Sequence, residues 1–117
     1  MEEVIIYEKP TCSKCRMAIE ILDASGVVYR KVRYSDTPLT KKKLKELVAK
    51  LNIFPKALVR ADDARDMKID YKSLSDDEII DLLVKYPNLM QRPILERGDR
   101  AIIGRPPELI PEFLNAV

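Results

Sequence analysis

The chain switches between two hydrophobic periods, and the switches mark its elements. Val4-Ile5-Ile6-Tyr7 is a short β-branched and aromatic run before the breaker Pro10, which predicts a strand. After Cys12, apolar residues at Met17, Ala18, Ile21 and Leu22 recur at helical spacing until Gly26 closes the stripe. Val27 to Tyr34 returns to a loose alternation, with Val28, Arg30, Val32 and Tyr34 on one parity, and predicts a second strand. A strand–helix–strand start of this length sets the second strand parallel to the first.

The middle of the chain reads as helical. Thr40 is placed to cap a helix whose Leu44, Leu47, Val48 and Leu51 recur at i, i+3, i+4 and i+7. Lys41, Lys42, Lys43 and Lys45 crowd its beginning against the helix dipole and are read as a solvated face, not a binding patch. Phe54 to Arg60 predicts a short helical turn. Ser75-Asp76-Asp77-Glu78 is a capping box, with Ile79, Ile80, Leu83 and Tyr86 as the stripe behind it and Pro87 as its stop. Ile94-Leu95-Glu96 and Ala101-Ile102-Ile103 flank Arg97-Gly98-Asp99-Arg100, a hairpin signal. Pro106 and Pro107 lead into a last helix carrying Leu109, Ile110, Phe113 and Leu114, with Pro111 disturbing its first turn. The order β-α-β, helices, β-β-α is that of an α/β, thioredoxin-like mixed sheet of about four strands with a helical insertion in the middle.

Composition narrows the functions open to such a fold. At 117 residues, positions 1–117 are expected to form a single domain. A net charge of +2 and the lack of Trp leave neither the field nor the stacking surface that nucleic-acid binding uses. No segment approaches the roughly 20 apolar residues that span a membrane. The N-terminal MEEVIIYEKP is acidic where a secretory signal would be basic. A cytoplasmic monomer is expected, in a compartment where a static disulfide would not persist.

That compartment directs attention to the two cysteines, Cys12 and Cys15. A Cys-x-x-Cys that follows a strand and opens a helix is the arrangement a thiol-redox site needs. Free backbone N–H groups at the helix start favour thiolate at Cys12, and Cys15 lies one turn away, within reach of an adduct formed there. Lys14 and Arg16 add positive charge nearby. Inert buried cysteines are the plainer alternative, and the strand-to-helix position favours the redox-active pair. With no His in the chain, two cysteines do not make a structural zinc site, so no metal is expected. The same absence excludes Cys–His hydrolase chemistry and leaves the helix terminus, arginine or lysine to activate Cys12.

Four segments together resemble the arsenate reductase family that is coupled to glutaredoxin: Tyr7-Glu8-Lys9-Pro10-Thr11-Cys12-Ser13-Lys14-Cys15-Arg16, Ala57-Leu58-Val59-Arg60, Gln91-Arg92-Pro93-Ile94 and Gly104-Arg105-Pro106. The resemblance runs in order over nearly the whole chain. It implies that Cys12 is the nucleophile toward arsenate and that Arg60, Arg92 and Arg105 hold the oxyanion. It also implies that Pro93 is a cis-proline facing the cysteines, that no cofactor is bound, and that glutathione, glutaredoxin or thioredoxin supplies electrons. Guanidinium forks suit an anion carrying about −1 to −2 charges, as phosphate does near neutral pH.

Two departures carry expectations of their own. Family members that rely on glutathione commonly have histidine where this chain has Glu8. A carboxylate there, if close and ionised, is expected to raise the Cys12 pKa. Many members also lack a second cysteine, so Cys15 permits an internal disulfide here. The fold and motif are shared by Spx-type regulators that bind RNA polymerase, in which Cys12 and Cys15 would be a sensor switch; the Gly104-Arg105-Pro106 element fits the reductases better. A general thiol-disulfide oxidoreductase would use the same cysteines without all three arginines.

Overall fold

A computed structural model describes residues 2–115, so Met1, Ala116 and Val117 lie outside the described residues. The opening βαβ unit comprises β1 (Val4–Glu8), α1 (Ser13–Ser25) and β2 (Tyr29–Arg33). Helices α2 (Lys41–Leu51), α3 (Ala61–Asp66) and α4 (Asp76–Lys85) follow, then β3 (Ile94–Arg97), β4 (Arg100–Ile103) and α5 (Leu109–Asn115). The strands form one sheet in the order β2-β1-β3-β4, with β1 and β2 parallel and the other pairs antiparallel. This is the thioredoxin-like mixed sheet that the residue pattern predicts, with α2 to α4 inserted between β2 and β3.

β1 is apolar on both parities because both faces of the sheet are covered. Val4 and Ile6 pack with Ala18, Leu22 and Ile110 on one side, while Tyr7 joins Leu44, Leu47, Ile79 and Leu83 on the other. Leu44 and Leu47 are fully buried, each worth roughly 2 kcal/mol of transfer free energy. The caps are where the sequence placed them: Lys43 N–H donates to Thr40 Oγ1 at 3.1 Å, and Ser75 and Glu78 satisfy each other's backbone. Gly98 takes a φ of 61°, the left-handed value a two-residue hairpin turn requires, and lets Arg97 and Arg100 pair. Pro111 is third in α5, where its missing N–H has no helical partner to lose.

The structure departs from the sequence reading in four places. Met17 is 40% exposed and leaves the α1 stripe to Cys15, Ala18 and Leu22. Val28 precedes β2 and is 73% exposed. The predicted turn is a 3₁₀ turn over Pro55–Leu58 only; Val59 then extends to bridge Met90, and Arg60 opens the unforeseen α3. Finally, the lysines of α2 are not all a solvated face. Lys41 pairs with Asp77 and Asp81 and Lys45 with Asp77, but Lys43 and Lys50 reach over the sheet to the buried Glu96. Tyr7 Oη donates to the same carboxylate at 2.6 Å. Burial pushes the Glu96 carboxyl up, yet Lys50, Tyr7 and Lys43 together hold it below the usual carboxylate range.

Register decides what meets at the end of the sheet beyond Glu8. Tyr7 lies opposite Ile94 and Val32, and Ile94 lies opposite Ile103. The end of β1, the end of β2, the start of β3 and the end of β4 therefore converge there. Among the described residues, no helix is long and apolar enough to cross a membrane.

Candidate active site

Cys12 sits at this convergence as the N-cap of α1, with extended backbone angles of −88° and 120°. Its N–H donates to the Lys9 carbonyl and its carbonyl accepts from Arg16, which fixes where the sulfur points. The sulfur makes no cap hydrogen bond of full geometry, but the first amides of the helix act on it. Burial pushes the Cys12 thiol up. The N–H and thiol of Cys15, the Arg105 guanidinium and the N–H of Lys14 outweigh that and bring it down to about 7. The thiolate is therefore accessible to Cys12 near neutral pH.

Cys15 is the opposite case. It is fully buried, and burial, with Cys12 and Glu8 adding to it, pushes its thiol up to about 12. Both cysteines are free thiols. The pair thus divides into a nucleophile and a group that keeps its proton. Glu8 is buried, pairs with Arg33 at 3.4 Å and adds to the rise at Cys15, and Cys12 is brought down with that carboxylate in place.

Arg105 links Cys12 to the hairpin. Its Nη2 lies 3.9 Å from Cys12 Sγ, and its Nε donates to the Arg92 carbonyl at 2.7 Å. The segments bearing these arginines are stitched together by the Gly104 N–H, which donates to the Pro93 carbonyl at 2.8 Å. They approach so closely that a Cβ on Gly104 would stand 3.0 Å from Leu95 and 3.2 Å from Pro93. The Arg92–Pro93 peptide bond is cis, and so is Arg105–Pro106, which sequence reasoning did not foresee.

Arg92 is 9% exposed; its Nη1 donates to the Asn88 carbonyl, and its buried Nε has no partner. Arg60 reaches the same region through its backbone. Its N–H donates to the Leu89 carbonyl, the Gln91 N–H donates to Leu58, and Val59 bridges Met90, so the two arginine segments run side by side. Its Nε pairs with Asp63 at 3.2 Å, leaving Nη1 buried and unpartnered. Cys12, Arg105 and Arg92 are thus brought into direct connection, and Arg60 is joined to them by main chain alone.

The structure adds one residue to this group. Tyr34, immediately past β2, is buried with an unpartnered hydroxyl. Burial pushes the phenol up to about 12, partly opposed by the nearby Arg92 guanidinium and reinforced by Cys15 and Cys12. In the sequence, Tyr34 signalled only a strand parity. Among the described residues, three buried side-chain atoms lack a partner: Tyr34 Oη, Arg92 Nε and Arg60 Nη1. Buried polar atoms are almost always hydrogen-bonded; the two guanidinium nitrogens are donors and the hydroxyl can donate, which suits an oxyanion.

A family model described as the ArsC family matches residues 7–113, a span that holds both cysteines and all three arginines. The chain belongs to the ArsC family. It is 32% identical to a Neisseria meningitidis protein named arsenate reductase, over 97% of this chain and 100% of that one. It is 34% identical to the uncharacterized protein YfgD of Escherichia coli, over 97% of this chain and 98% of that one. A solved structure described as arsenate reductase from Vibrio cholerae superposes with a TM-score of 0.87 at 30% identity, covering 95% of this chain and 97% of that one. Among the described residues of this ArsC-family chain, no group of three or more His, Cys, Asp or Glu side chains is placed to hold a metal ion.

Proposed function

We propose that this chain is a thiol-dependent arsenate reductase, acting as a single cytoplasmic domain with Cys12 as nucleophile. The observation that carries the reading is a cysteine lowered to about 7 that faces Arg105 at 3.9 Å, in a region where buried arginine donors stand unpartnered. Named arsenate reductases of similar length and sequence support it.

The cycle follows from the two thiols. The Cys12 thiolate attacks the arsenic of arsenate held by Arg60, Arg92 and Arg105, forming an S–As bond while one oxygen leaves as water after protonation. A second thiol then gives up its proton to an oxygen of the bound arsenic group as its sulfur attacks the Cys12 sulfur. The S–As bond breaks, its electron pair stays on arsenic, and arsenite leaves as the disulfide forms. Cys15 is the nearer resolving thiol, since its S–H already acts on the Cys12 sulfur; glutathione is the alternative. Two electrons from glutathione, a glutaredoxin or a thioredoxin restore the thiols.

The regulator reading is not favoured, because a sensor disulfide has no use for unpartnered arginine donors beside it. Arsenate-dependent NADPH oxidation tests the proposal, with the glutathione–glutaredoxin and thioredoxin–thioredoxin reductase systems supplied separately. Turnover that vanishes in Cys12→Ser supports it, and the active system names the donor. No turnover with either system from folded, reduced protein overturns it.

A further inference from the structure

We propose that the Tyr34 hydroxyl is a fourth oxyanion-binding group, donating to an oxygen of the same anion that Arg92 Nε holds. The proposal rests on the oxyanion site described above and extends it to a residue outside the arginine set. Parallel pairing of β1 and β2 puts Arg33 opposite Glu8, so Tyr34 is carried past the sheet at the end where Cys12 begins α1. The side chain is 1% exposed, and its ring lies among Leu44, Leu83 and Met90.

An orphaned buried hydroxyl is costly, and here it stands beside an orphaned buried guanidinium nitrogen. The guanidinium is near enough to act on the phenol by charge and as a hydrogen-bonding group, and both thiols act on it too, yet Oη and Nε each lack a partner of full geometry. An acceptor oxygen between Oη and Nε satisfies both at once. With its pKa at about 12, the phenol stays protonated at any working pH, so it contributes a neutral donor where the arginines contribute charge.

Tyr34→Phe deletes this oxygen and keeps the ring. Two readouts on the full chain test the idea: arsenate kinetics, and the arsenate concentration that half-protects Cys12 from iodoacetamide, each protein referred to its own unprotected rate. The expected result is about a tenfold loss in kcat/KM and a similar weakening of protection, with a thermal midpoint unchanged or raised. Weakened protection in a protein whose wild type binds arsenate without reducing it would uphold the Tyr34 role while sinking the reductase reading. Wild-type turnover with kinetics and protection unaltered in Tyr34→Phe would overturn the role alone. A lowered thermal midpoint with unaltered kinetics would also overturn it, as would a wild type that arsenate neither reacts with nor protects.

Discussion

Two buried polar clusters flank the same sheet, and they differ in one respect. Around Glu96 the carboxylate accepts from Tyr7, Lys43 and Lys50, and neither Glu96 nor Tyr7 leaves a buried side-chain atom unmatched. On the Cys12 side, Tyr34, Arg92 and Arg60 each leave a buried side-chain atom able to donate without a partner. A closed network spends its polar groups on one another and holds the fold. An open one gives up that stabilisation and keeps its donors for a ligand. Arg92 lies four residues before Glu96 and both are buried, so the difference between them lies in side-chain pairing, not in depth.

Substitutions break this contrast in opposite ways. Cys12→Ser should remove arsenate turnover by about a thousandfold or more while leaving the fold intact, read by coupled NADPH oxidation and circular dichroism. Glu96→Ala takes the shared acceptor from Tyr7, Lys43 and Lys50, the lysines keeping Glu46, and should cost about 2 kcal/mol in denaturant unfolding, with kinetics of the folded protein unchanged. Arg92→Gln should do the reverse, lowering kcat/KM by roughly 10- to 100-fold with little loss of stability. A cluster whose variants moved stability and activity together would erase the distinction.

Titration separates the clusters further. Iodoacetamide labelling of Cys12 should be half-maximal near pH 7, and its midpoint should rise in Arg105→Gln; labelling of Cys15 should stay negligible through pH 10. The Glu96 carboxyl is held below its ordinary value of 4.5, so its contribution to stability is complete above that pH. It is lost as pH falls through the lower folded value, and Glu96→Gln should flatten the acid limb of the stability curve. The smallest effect is expected at Ser75→Ala, about 1 kcal/mol from the lost capping box with arsenate kinetics unaltered.

What the sequence disclosed follows the range of the interaction. Caps, the Gly98 turn, the stripes of α2 and α4 and the cysteine position at a helix start depend on neighbours within a few residues, and these could be read directly. Arg92 and Arg105 were legible because each precedes a proline in a recognisable segment. Glu96 was not: Lys43 and Lys50 lie seven apart on one face of α2, but nothing local tells which strand residue that face will cover. Tyr34 was hidden for the same reason, since only the parallel register of β2 sets its hydroxyl beside an arginine nearly sixty residues later. Met17 and Val28 failed because a period marks candidates for a face while packing decides which of them are covered.

The central claim is that the unpartnered donors beside Cys12 receive an oxyanion, and calorimetric titration of the Cys12→Ser protein with arsenate tests it without the reaction. One site per chain, weakened in the Arg92→Gln and Arg105→Gln backgrounds, is the expected result. No measurable binding, or binding indifferent to both arginines, would contradict the account.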